Sequence, residues 1–86
     1  MAQPARIRKA LEAASQAKVV GASQVEAKGT LTTWKSICDD GEASNDLRSL
    51  AVHYRDELQA AVIRGDTAAQ EAALAALSGL AARFLP

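Results

Sequence analysis

Two apolar stretches with helical spacing, separated only by Arg64-Gly65-Asp66, constrain this chain more than any other feature. At 100° per residue from Leu47, the residues Leu50, Ala51, Tyr54, Leu58, Ala61 and Val62 share one broad stripe, with Arg48, Ser49, Asp56 and Gln59 opposite. Ser44 or Asn45 can cap this helix, Asp46 puts negative charge in its first turn, and Arg64 puts positive charge in its last. Gly65 then suits a left-handed stop. Asp66 or Thr67 restarts the chain, and Thr67 with Gln70 has the form of a capping box. A link this short predicts two helices lying side by side, an antiparallel hairpin over Ser44–Pro86.

The second helix, about Thr67 to Leu85, carries a core stripe of Leu74, Leu77, Leu80, Ala81, Phe84 and Leu85. Its other face holds Ala72, Ala75, Ala76, Gly79 and Ala82, with Arg83 as the one charge. A helix apolar nearly all round is covered on several sides. Either the N-terminal half wraps it, or the small residues form a self-association or partner-binding face, which Gly79 would suit through close helix approach. Val52 and Ile63, on the far side of the preceding helix, suggest contact from a second direction.

The N-terminal half, residues 1–43, reads as shorter basic helices. Pro4 suits a first helical position, and Ile7, Leu11, Ala14 and Ala10 make a modest stripe through about Val20, with Gly21 as its terminator. A run straight through Gly21 to Lys28 is the open alternative. Ser23 with Glu26 forms a capping-box pattern for a short helix that Gly29 would end. Gly29-Thr30-Leu31-Thr32-Thr33 reads as non-helical, after which Thr32 or Thr33 caps a short helix carrying Trp34, Ile37 and Cys38 and ending at Gly41. The expected fold is therefore all-α: a single small bundle of four to five helices built around the C-terminal hairpin.

Zero net charge hides an uneven distribution. Up to Lys35, six basic residues (Arg6, Arg8, Lys9, Lys18, Lys28, Lys35) stand against Glu12 and Glu26; from Ser36 onward eight acids stand against four arginines, so the halves carry +4 and −4. The halves neutralise each other when packed, or the head faces a polyanion. Arg6, Arg8 and Lys9 sit where the macrodipole disfavours cations, so something other than helix stability keeps them. Arg6, Arg8, Lys9, Lys28 and Lys35 are the candidate nucleic-acid contacts.

The glycine-punctuated region around Ser23–Gly41 resembles a helix-turn-helix DNA-binding unit. In one register Ala17, Val20 and Gly21 match the motif, with Gln16 and Thr30 at its buried positions; in the other Gly29 supplies the turn, with Gln24, Lys28 and Lys35 at apolar or small positions. That resemblance implies a transcriptional regulator, the alternative function.

No constellation supports catalysis. His53 precedes Asp56 and Glu57 on one helix side but has no second histidine or nucleophile near it in sequence. Asp39, Asp40 and Glu42 lack the oxygen-ligand spacing of a calcium loop. Carboxylates beside Cys38 disfavour its thiolate, and one cysteine forbids an internal disulfide. Turn chemistry accounts for Arg64-Gly65-Asp66. The expectation is a non-enzyme without metal, cofactor or small-molecule substrate.

The sequence has no run near the ~20 apolar residues of a membrane span and no signal-peptide core, so a cytoplasmic chain is expected. Abundant alanine and an excess of arginine over lysine fit a high-GC bacterial or phage genome. So small an alanine-rich core favours oligomerisation. The expected function is a helical protein–protein interaction module (adaptor, inhibitor or accessory protein) that forms a homodimer, with Ala72, Ala76, Gly79, Arg83, Val52 and Ile63 as partner-binding residues.

Overall fold

Helix boundaries follow capping chemistry wherever the cap is local. The computed structural model describes residues 3–86. Among them lie four helices and no strand: α1 (Ala5–Ser15), α2 (Gln24–Asp39), α3 (Asn45–Arg64) and α4 (Thr67–Phe84). Each helix packs on the next in chain order, and α1 closes onto α4; the α3–α4 contact is the most extensive. Trp34, Ile7, Leu11, Ile37, Leu47, Leu58, Leu74 and Leu77 are the largest fully buried side chains, so all four helices feed one core.

Ser44 caps α3, its Oγ accepting from the Leu47 N–H at 3.2 Å. At the other end Gly65 adopts φ 69°, ψ 26°, with Asp66 N–H donating to the Ala61 carbonyl and Gly65 N–H to that of Val62. That pair of bonds is a Schellman stop, and the left-handed residue it needs is the glycine. Leu50, expected in the core stripe, is 38 % exposed, because α3 packs α2 and α4 along Leu47, Ala51, Leu58, Ala61 and Val62 instead.

Several expectations for the first half fail. Helix α1 ends at Ser15, neither reaching Val20 nor crossing Gly21. The Ser15 carbonyl, free of a helical partner, accepts from Ser78 Oγ on α4 at 3.0 Å. Farther along the connector, Gly21 N–H donates to Glu71 Oε2 at 3.1 Å and Gln70 Nε2 donates to the Ala22 carbonyl at 3.1 Å. Side chains of α4 thus supply the bonds a longer α1 would have made internally. Gly21 still has positive φ, 74°, but in the connector rather than as a helix terminator.

Helix α2 is a single 16-residue helix rather than two short ones, so Gly29 does not stop it and neither Thr32 nor Thr33 caps anything. Its start is where the sequence places it: Ser23 and Glu26 form the reciprocal capping box at 3.1 and 3.0 Å. Beyond it, Ala27, Leu31, Trp34 and Ile37 recur at helical spacing and are all buried. The hydroxyls of Thr30, Thr32 and Thr33 donate to the carbonyls of Glu26, Lys28 and Gly29, four residues back. Burial of a continuous stripe outweighs the weak helix propensity of glycine and threonine.

The Thr67–Gln70 capping box does not form. Asp66 caps α4 instead, accepting from Ala69 N–H at 3.1 Å, and Gln70 is buried with its amide turned to Ala22. Nor does the N-terminal half wrap α4 on every side: α1, the connector and α3 cover it, but Ala72, Ala75, Gly79 and Ala82 are exposed. No helix is long and apolar enough to cross a membrane among the described residues.

Candidate interaction surface

The few polar side chains of α4 that bond the rest of the chain explain which of its faces stays open. Gln70 and Glu71 bond the connector and Ser78 bonds the last residue of α1, which fixes that side of the helix against the rest of the chain. Rotating away from them leaves Ala68, Ala72, Ala75, Gly79 and Ala82, spaced alternately by four and three residues and all exposed. This is the spacing of a helix–helix seam, about 21 Å long at 1.5 Å per residue. No charged side chain interrupts it until Arg83. A Cβ added at Gly79 would meet no heavy atom within 4 Å, so close packing inside the chain is not the reason for that glycine.

Ala76, half-buried, stands beside the seam in a groove between α3 and α4. The groove measures about 500 Å³; Tyr54, Ala60, Ala69 and Ala72 line it, and Glu57 and Arg64 are its only charges. Farther along α3, Ile63 is 76 % exposed beside a smaller cleft with Asp56, Gln59 and Ala60. Val52 is 36 % exposed. Of the six expected partner-binding residues, Ala72, Ala76, Gly79 and Ile63 belong to the α3–α4 surface by these contacts, and Arg83 ends the seam. Nothing places Val52 in either cleft.

Two exposed apolar residues escaped the sequence reading. Val20 and Val25 are 77 % and 79 % exposed, whereas a helix running straight through Gly21 would have put Val25 in register with Ile7 and Leu11. Gln24, next to Val25, donates its amide to the Val62 carbonyl, so Val25 lies at the same end of the molecule as Ile63. Their signal in the sequence was available only once the end of α1 was known.

The basic residues divide. Arg6 grips Asp40 with two bonds, at 2.7 and 2.9 Å, and reaches Glu42 at 3.5 Å. This holds the Asp40 carboxyl below its ordinary value, the Arg6 bond contributing most and the Glu42 N–H next. Head and body neutralise each other at that point. Arg8, Lys9, Lys28 and Lys35 are exposed. The turn of a helix-turn-helix is absent in both registers: Gly29 is inside α2, and eight residues separate α1 from α2 where the motif allows three or four.

His53 is exposed, 3.2 Å from Glu57 and edge-on to Tyr54, so it sits on the rim of the groove and not in an enclosed site. Burial, helped by Asp39 and Asp56 and opposed by Arg55, pushes the Cys38 thiol up, away from the reactive thiolate. Asp40 also accepts from Glu42 N–H, and no group of three or more metal-binding side chains occurs among the described residues. No known protein family, curated protein or solved structure matches this chain.

Proposed function

We propose that this chain is a non-enzymatic helical interaction module whose α3–α4 hairpin presents the alanine seam and adjoining groove to another protein, with a second copy as its first partner. The observation that carries this reading is the exposed, uncharged face of α4 from Ala68 to Ala82. Alanine favours the helix by itself, but an exposed face of small uncharged residues about four turns long is also what a closely approaching helix requires. The charges on the groove favour self-pairing. Glu57 and Arg64 lie seven residues apart on one side of α3, with Ala60 between them. A two-fold axis near Ala60 would set each Glu57 against the other copy's Arg64, an isologous arrangement. The seam alone, about 21 Å by 10 Å, falls well short of the ~800 Å² per partner of a standard interface, so the groove and Ile63 have to contribute.

Sedimentation equilibrium of the wild type and of Ala72→Glu tests the proposal. Ala72 is exposed, so the substitution leaves the folded monomer intact. The expected result is a concentration-dependent dimer for the wild type and a monomer for Ala72→Glu with unchanged helicity. A wild type that stays at 9.0 kDa at every concentration refutes self-association.

A further inference from the structure

At the opposite end of α4 from the Gly65 turn, a cleft of about 540 Å³ brings together residues from α1, α3 and the C-terminal segment. Arg8 and Arg83 line it, along with Ser44 and Asp46 at the start of α3 and the apolar side chains of Phe84 and Leu85. We propose that this cleft binds a small organic anion: a carboxylate or similar head held between Arg8 and Arg83, with an apolar tail lying on Phe84 and Leu85.

Three observations converge on this class of ligand. First, Arg8 and Arg83 are both exposed and, among the described residues, neither has an acid within ion-pair distance, while Arg6, Arg55 and Arg64 each do. Arg8 also occupies the N-terminal part of α1, where the helix macrodipole opposes a cation. Arg6 is explained by Asp40 and Glu42; Arg8 has no such explanation inside the chain, and a ligand supplies one. Second, the floor is apolar and aromatic, with Phe84 and Leu85 packed at the edge of the core and the Arg83 guanidinium 6.0 Å from the Phe84 ring centre. Guanidinium groups framing a partly desolvated apolar floor select an amphipathic anion over a bare one. Third, α3 points its N-terminus at the same cleft. Ser44 already serves the Leu47 N–H, and the Asn45 and Asp46 N–H groups make no hydrogen bond among the described residues. Their partial positive charge adds to that of the arginines. Asp46 is the only acidic side chain on the wall among the described residues.

The test is titration of the ¹⁵N-labelled protein with octanoate, with octylammonium and inorganic phosphate as comparison probes. Octanoate is expected to bind one per chain and to shift the amides of Asn45, Asp46 and the last residues of α4. Octylammonium is expected not to bind, and phosphate to bind more weakly. Arg8→Gln and Arg83→Gln, both at exposed positions, should each weaken octanoate about tenfold, the loss of one charge-assisted bond. Ala72→Glu should leave octanoate binding unchanged, which separates this site from the association surface. Equal binding of octanoate and octylammonium, phosphate binding as tight as octanoate, or wild-type affinity in both arginine variants would each overturn the proposal.

Discussion

Replacing Gly79 with alanine isolates what an exposed helical glycine does in this fold. The residue is inside α4, away from both caps, with ordinary helical backbone. A Cβ there would touch nothing within 4 Å, so no steric penalty opposes the change, and because the site is exposed no burial assists it. Only the backbone entropy of glycine remains, about 1 kcal/mol relative to alanine in a helix interior. For a chain of this size that corresponds to a rise in Tm of about 4–8 °C. Gly29, mid-helix in α2 and equally open, is the matched control and should give a similar gain. Thermal unfolding followed by circular dichroism at high dilution measures both. Unchanged or lowered Tm for Gly79→Ala, with Gly29→Ala raised, would refute the reasoning, since the methyl would then have met something in the folded monomer. Repeating the measurement where the chain associates adds a second reading: a methyl on the seam should erode the Gly79→Ala gain and leave that of Gly29→Ala intact.

Other perturbations follow from single contacts. Gly65→Ala should destabilise by roughly 1–2 kcal/mol, because φ 69° is costly for any residue with a Cβ although nothing crowds the site; urea unfolding measures it, and a neutral result would remove the left-handed stop. Gln70→Ala takes away the donor to the Ala22 carbonyl and should cost about 1 kcal/mol, with faster amide exchange confined to the connector. Trp34 is fully buried with an Nε1–H that has no partner among the described residues, so Trp34→Phe should lose less than about 2 kcal/mol while Trp34→Ala loses about 3–5; a Trp34→Phe loss clearly above about 2 kcal/mol would mean the indole N–H is bonded. The Asp40 carboxyl has a folded value below its ordinary 3.8, so its contribution is complete above that value and disappears as pH falls through the lowered one. Asp40→Asn should therefore unfold at lower urea than wild type at pH 7, and the two should converge as pH falls through the lowered Asp40 value.

What the sequence determined by itself is the set of features whose partners are near neighbours. Ser44, Gly65 and the Ser23–Glu26 box mark helix ends because cap and capped groups lie within three or four residues. The stripes Ile7–Leu11–Ala14 and Leu74–Leu77–Leu80–Ala81 were legible for the same reason: helical spacing is a local property. Tertiary structure decided the rest. Where α1 stops, how the connector is held and which residue caps α4 depend on bonds from Gln70, Glu71 and Ser78 to groups 48, 50 and 63 residues away. The threonine run after Gly29 became helix because Leu31 and Trp34 had a core to enter, which local propensity does not register. The alanine face of α4 was visible as a pattern, but its openness was not: exposure is set by which neighbours arrive, and α1, α3 and the connector all arrive on other sides.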